Sequence, residues 1–305
     1  MNYKNLVPPI VFMAYRRLRG LDRPRKGDVT HVIGDLAIEL PSSAALPLYQ
    51  RRHRLYDRFL PVLVEHVDGA GWIVDVGANV GDSAIAMLQH CGNPILCVEA
   101  SDLFFPYLER NIAALPSAYG GRVEIVKHLV GTGEFTGTLK HAAGGTAELD
   151  PGSGEMQAAP RPLDEILGER TGRVALLKVD TDGFDHDVLM SARRVLKESR
   201  PILFWENHAM DERTDHAYQR MYRMIAEHGY TSIHVFDNYG APMLVNTDLR
   251  ALADLNAYII AQYKYGGTRT MYYTDVLAAT EEDRPKVEAA IAQYRQQWVQ
   301  RKPQA

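Results

Sequence analysis

Cysteine is scarce in this chain: two residues in 305, Cys91 and Cys97. The spacing between them matches neither a zinc knuckle nor a Cys-x-x-Cys redox pair, so both read as small, buried apolar side chains. Long apolar runs are also missing. No stretch of about 18 apolar residues occurs, which removes the expectation of a membrane-spanning helix. Nor is there an excess of positive charge. The 34 Lys and Arg are outnumbered by 38 Asp and Glu, giving a formal charge of -4 that argues against nucleic acid as a partner. The segment from Leu6 to Arg19 puts its apolar residues before its arginines, the reverse of a signal peptide, so a cytoplasmic protein is the default. It reads as a short helix packing on the domain or on a second copy of the chain. The alternative is a weak membrane-surface contact through Arg16, Arg17 and Arg19.

What is present is a rhythm of apolar strands and amphipathic helices, the pattern of a parallel sheet covered on both faces. Strands are expected at Trp72 to Val76, Ile95 to Glu99, Val123 to Lys127, Val174 to Asp180, Pro201 to Glu206 and Thr231 to Phe236, with a last one at Thr270 to Tyr273. Helices are expected from Tyr49 to about His66, after Asp82, from Asp102 to Leu115, from Thr247 to Tyr263 and near the C-terminus. Residues 1–50 form a proline-marked, irregular lead-in, a lid or dimerisation segment. The main domain then spans 51–280, with a Gly- and Thr-rich hairpin insertion near 131–161, and a C-terminal helix occupies 281–305. The fold expected is an α/β, doubly wound, mostly parallel sheet of seven strands with helices on both faces.

The first of these strands runs straight into Asp75-Val76-Gly77-Ala78-Asn79-Val80-Gly81-Asp82-Ser83 and then a helix. Gly77 and Gly81 let the backbone turn and approach a ligand closely, and a helix start offers unpaired N–H groups. The loop lacks the Gly-x-Gly-x-x-Gly of dinucleotide binders and the Gly-Lys-Ser/Thr of a phosphate cradle. The second strand ends in Glu99, where a carboxylate can accept hydrogen bonds from both hydroxyls of a ribose. The fourth ends in Asp180-Thr181-Asp182-Gly183 and the fifth in Glu206-Asn207-His208, both at the edge where doubly wound sheets bind ligands.

As an ordered set, DVGANVGDSA (75–84), CVEAS (97–101), PLDEIL (162–167), LLKVDTDGFDHDVLMSA (176–192) and PILFWEN (201–207) resemble the FkbM methyltransferases. Where that family commonly has Asp-x-Glu-Gly, this chain has Asp180-Thr181-Asp182-Gly183. The segment with Tyr56-Asp57-Arg58-Phe59-Leu60-Pro61 resembles members found among polysaccharide-biosynthesis enzymes. The resemblance implies a class I, Rossmann-like, S-adenosylmethionine-dependent O-methyltransferase acting on a small-molecule or glycan hydroxyl. On that reading Asp75, Gly77, Asn79, Gly81 and Ser83 hold the methionine part of the cofactor, together with Asp180, and Glu99 holds the ribose. Ala100, Ser101 and His128 approach the adenosine end. Asp180, Asp182 or His208 serves as base. A site like that of catechol O-methyltransferase would instead gather Asp180, Asp182, Glu206 and Asn207 around Mg²⁺ or another divalent ion, and a metal-free acidic rim is the equal alternative. His53, His141, His186 and Lys178 weigh less, the lysine because it lies inside a strand. The competing functions are a nicotinamide-dependent oxidoreductase and a non-catalytic binding protein on the same fold.

Overall fold

The computed structural model describes residues 27–133, 138–142, 146–150, 159–265 and 271–300. The segment from Leu6 to Arg19, with its helix and membrane-surface readings, lies outside the described residues. Ahead of the alternating region the structure corrects the sequence reading twice. Val29–Ile33 (β1) and Leu36–Leu40 (β2) pair antiparallel around Gly34, which takes φ 58, so the lead-in holds a hairpin. The single helix expected from Tyr49 is two, Leu46–Arg52 (α1) and Phe59–Val64 (α2). The break between them carries Asp57 at φ 56, a left-handed conformation that a continuous helix cannot contain.

The alternation then proceeds largely as expected. Trp72–Val76 (β3), Asp82–Leu88 (α3), Ile95–Glu99 (β4), Phe105–Ala113 (α4), Ser117–Gly120 (α5) and Val123–Lys127 (β5) come first. The insertion is an antiparallel pair, Thr138–Ala142 (β6) and Thr146–Asp150 (β7). Next are Leu163–Leu167 (α6), Val174–Val179 (β8), Asp185–Met190 (α7), Arg193–Glu198 (α8), Ile202–Asn207 (β9) and Glu212–Glu227 (α9). The chain continues through Tyr230–Asp237 (β10), Pro242–Thr247 (β11), Leu249–Tyr265 (α10), Thr274–Thr280 (β12) and Arg284–Gln300 (α11). Among the described residues no helix is long and apolar enough to cross a membrane.

The main sheet has the order β5-β4-β3-β8-β9-β12-β10-β11. The five strands from β5 to β9 are parallel, and β12 inserts antiparallel between β9 and β10. Eight strands therefore replace the seven expected, because β11 pairs onto the far edge of β10. The last of the expected strands also lies later than Thr270 to Tyr273. Its polar ends, Thr274, Asp275 and Thr280, hid an otherwise apolar segment.

Side chains alternate across a strand, so parity decides which of two cores a residue joins. Ile73, Cys97, Leu176, Ile202, Phe204 and Leu277 pack on one face with α2, α3 and α11. Val74, Leu96, Leu177, Leu203, Trp205 and Val276 pack on the other with α7, α8 and α9. Followed toward the carboxyl ends of the parallel strands, the first face runs out of apolar residues at Asp75, Glu99, Lys178 and Glu206, all of them buried.

The segment between α1 and α2 crosses this edge as a strap. His53 stacks on Tyr239 with ring centroids 3.7 Å apart and planes at 8°. The Tyr294 hydroxyl, on α11, reaches the carbonyl oxygens of Leu55 at 3.0 Å and Gly240 at 2.9 Å. Gly240 has φ 84, and a Cβ there would lie 2.4 Å from the Leu55 carbonyl oxygen. Gly240→Ala is therefore expected to cost about 1–3 kcal/mol of stability in urea titration, from backbone strain and the displaced strap. A wild-type midpoint in that variant would show that the strap is not held at this turn.

Candidate active site

Two chambers open over the carboxyl edge of β3 and β8 and share Gly77, Asn79, Phe104, Asp180 and Asp182 in their walls. The smaller, about 70 Å³, is bounded by Glu99, Ala100, His128, Leu129, Val130 and Phe184. The larger, about 560 Å³, lies beneath the strap and takes in Tyr56, Asp57, Asp82, Lys178, Glu206, His208, Tyr273 and Asp275.

The glycine loop is shaped by contacts that exclude side chains. A Cβ on Gly77, at φ 78, would sit 1.8 Å from the Asp180 carbonyl oxygen, so the β3 and β8 loops meet backbone to backbone. Gly81, at φ 88, caps α3 and lies under Leu108. Asn79 is also left-handed, at φ 49, and its amide donates to one Glu99 carboxylate oxygen at 2.8 Å. The Ser101 amide donates to the other at 2.7 Å. Glu99 is thus fixed by backbone donors, with the Ala100 amide adding to these two, and it lines the small chamber. Burial raises its pKa, although these backbone bonds oppose the rise. The Ser101 hydroxyl accepts from the amides of Leu103 and Phe104 and supports the turn into α4.

Asp75 stands elsewhere than expected. It is fully buried, accepts the Ser83 hydroxyl at 2.5 Å and the Lys178 ammonium at 2.9 Å, and lines neither chamber. Lys178 sits opposite it in register, and its Nζ also lies 3.4 Å from Asp180 Oδ2. Burial alone would pull the lysine pKa down, but Asp75 and Asp180 outweigh it and hold the pKa well above the usual value. The lysine that the sequence reading set aside is therefore a fixed cation in the floor of the large chamber.

Asp182 occupies the junction of the chambers in a left-handed conformation, φ 52. Asp185 holds its neighbours: its carboxylate accepts from the Thr181 hydroxyl at 3.2 Å, the Gly183 amide at 3.3 Å and the Glu206 amide at 3.2 Å. Burial, followed by the proximity of Glu206, keeps the Asp185 pKa well above the carboxylate range. Glu206 Oε1 lies 3.4 Å from His208 Nδ1, and both side chains line the large chamber.

The four-ligand metal site does not form. Glu206 and Asn207 are adjacent on β9 and point to opposite faces, as parity requires. Asn207 is fully buried against Asn256 at 2.7 Å and accepts the Tyr222 hydroxyl, away from both chambers. Lys178 already stands beside Asp180, where a cation would bind. Among the described residues no group of three or more His, Cys, Asp or Glu side chains has an arrangement that could hold a metal ion. The residues present do not fit the metal.

His128 lines the small chamber, with Arg161 Nη1 3.4 Å from its Nε2. His186 is buried edge-on to Tyr218, and burial pushes its pKa down to about 4, the behaviour of a packed side chain. The His141 side chain lies outside the described residues. Tyr56, Asp57 and Asp82 lie in motifs that the sequence shows but carry no site role there, and Tyr273 and Asp275 give no such signal. The parity signal that selects Glu206 would have found Asp275, its direct cross-strand partner, had β12 been placed correctly.

Strand order and the glycine loop after β3 define a doubly wound α/β domain. A family model described as the methyltransferase FkbM domain matches residues 75–232, and the chain belongs to that family. This membership sets the nicotinamide oxidoreductase reading aside. No curated protein sequence matches the chain. Among solved structures, it resembles an O-methyltransferase from Bacillus cereus in complex with SAH, at 15% identity and TM-score 0.42, covering 78% of this chain and 89% of that one. It also resembles a geranyl diphosphate C-methyltransferase from Streptomyces coelicolor, at 13% identity and TM-score 0.41, covering 73% and 77%. A precorrin-6y C5,15-methyltransferase from Geobacter metallireducens stands at 10% identity and TM-score 0.38, covering 72% and 84%.

The crowded carboxylates set a pH dependence. Asp82, on the large chamber, is raised by burial from 3.8 to about 6, while Lys178 opposes the rise. Its protonated form is favoured in the folded chain, so the native state binds more protons than the unfolded state between these values. Stability from this group therefore falls as pH rises from about 4 to about 6. Asp82→Asn is expected to flatten that fall in urea titrations across this range. An unchanged slope would remove Asp82 from the linkage.

Proposed function

We propose that this chain is an S-adenosylmethionine-dependent O-methyltransferase whose acceptor is a sugar hydroxyl in a surface glycan or glycosylated natural product. The observation that carries the reading is the pair of chambers meeting at Gly77, Asn79, Phe104, Asp180 and Asp182. The small chamber offers Glu99 to ribose hydroxyls and Ala100, His128, Leu129 and Val130 to a base. Asn79, Gly81 and Ser83 follow from the loop, Asp180 faces it, and the large chamber is left for an acceptor. When bound, the cofactor supplies a methyl group made electrophilic by its sulfonium.

The protein's task in such a substitution is to align the acceptor and remove its proton. Asp182 stands at the junction and takes the hydroxyl proton as the oxygen gains the methyl group. Asp185 holds the loop on both sides of Asp182, which keeps this carboxylate in place. Glu206 orients His208 through Nδ1, leaving Nε2 to bind the acceptor or carry the proton outward. The Lys178 ammonium, 3.4 Å from Asp180, balances its charge beside the reacting groups.

Calorimetry with S-adenosylhomocysteine tests the cofactor site. Glu99→Ala should weaken binding by about 1.5–3 kcal/mol, the loss of hydrogen bonds to a charged group. Unchanged affinity in a folded variant would put the cofactor elsewhere. With the acceptor found by mass spectrometry of surface carbohydrates from cells with and without the gene, Asp182→Asn should lower turnover by about 10²- to 10⁴-fold. It should leave cofactor affinity intact, and chelators should leave turnover unchanged. Full turnover of Asp182→Asn would pass the role of base to Asp180 or His208, and loss of turnover in chelator would restore a metal.

A further inference from the structure

Beyond the junction, the large chamber has a second charged region on the β9–β12 side. Glu206 and Asp275 are direct partners across antiparallel strands, on the face whose apolar residues end there. Like charges so placed are destabilising. Asp57 faces the same chamber from the strap, in a left-handed conformation that carries its own strain. Burial, then Glu206, Asp180 and Asp57, raise the pKa of Asp275. Asp57 itself is exposed to the open chamber, and the packed walls around it, then Asp82 and Asp180, raise its pKa against the opposing pull of Lys178 and Arg58. Among the described residues neither the Asp57 nor the Asp275 carboxylate has a hydrogen-bond or ion-pair partner, although the Asp275 backbone is paired in the sheet. The nearby lysine is committed to Asp75 and Asp180, and the Glu206 carboxylate has His208 beside it.

Two aromatic rings complete this region. Tyr56 and Tyr273 both line the chamber, and neither hydroxyl has a partner among the described residues. Aromatic faces suit the C–H surface of a sugar ring and also stabilise a cation. A neutral diol would satisfy hydrogen bonds on one carboxylate but leave the summed charge unbalanced, and an anionic sugar would add to it. An ammonium group supplies both the missing charge and three donors.

We propose that the acceptor is an amino sugar, a polyhydroxylated ring with a protonated amine, whose ammonium lies between Asp57 and Asp275 and whose ring lies against Tyr56 and Tyr273. The amine is held apart from the methylated hydroxyl, which faces Asp182. The proposal rests on the large chamber being the acceptor site of a methyltransferase. It deepens that reading by naming the feature that selects the substrate.

The test is calorimetry on the full chain saturated with S-adenosylhomocysteine, titrated with methyl glucosaminide, its N-acetyl derivative and methyl glucoside, and with the same three galactosides. In at least one series the amine should bind about tenfold or more tightly than both neutral partners. Asp57→Asn and Asp275→Asn should each remove this preference while S-adenosylhomocysteine affinity stays at the wild-type value, which also shows that the variants fold. Equal or tighter binding of the neutral glycosides, or no binding of either amine, overturns the proposal and leaves the methyl-transfer reading standing. Loss of S-adenosylhomocysteine affinity in these variants also overturns it, by assigning the two carboxylates to the cofactor's own ammonium. Failure of wild-type protein to bind S-adenosylhomocysteine at all removes both readings together.

Discussion

The arrangement of this site depends on one ion pair, between Lys178 and Asp75, buried in register across neighbouring parallel strands. Burying two charges is costly, and removing one partner of such a pair costs about 3–5 kcal/mol because the other is left uncompensated. Here the pair is extended at both ends. Asp75 also accepts the Ser83 hydroxyl, so the glycine loop is fixed at the helix that follows it, and Lys178 reaches Asp180 at the mouth of the next loop. A single cation thereby ties two strands, the glycine loop and the loop bearing Asp182. Its charge also tempers the repulsion among the acids around it, as its opposing pull on Asp57, Asp82 and Asp275 shows.

Much of the fold could be read from the sequence because apolar runs buried on both faces are a strong local signal. β3, β4, β5, β8 and β9 lie where their residues predicted, and so does the glycine loop between β3 and α3. Gly77, Asn79, Glu99, Asp180 and Asp182 come together because each stands at or just beyond the carboxyl end of a strand, and strand order alone brings those ends side by side. Weaker elements were missed where sequence signals are short or mixed. The β1–β2 hairpin has five-residue strands with outward polar positions, and α1 and α2 share an apolar pattern that conceals the turn at Asp57.

The differences between the expected and the observed site come from the pleat of the strands and from long-range packing. Grouping Glu206 with Asn207 as joint ligands treats adjacent strand residues as neighbours in space, whereas the pleat sends them to opposite cores. Setting Lys178 aside for lying within a strand overlooked that its parity matches that of Asp75 and Glu206. Asp75 begins the glycine motif, but its position inside β3 turns its carboxylate to Lys178 and Ser83. Asp57, Tyr56, Tyr273 and Asp275 belong to the strap and to an antiparallel strand far along the chain. Only tertiary structure brings them to the same chamber.

The backbone contact between Gly77 and Asp180 also constrains how the molecule can breathe. With no side chain between them, the two loops abut as a single rigid ledge, and neither can swing outward without dragging the ion pair beneath. Across the chamber the strap rests on a stacked ring pair and a tyrosine hydroxyl. One half of the cleft is thus backbone set on a buried ion pair, and the other is aromatic and hydroxyl contact.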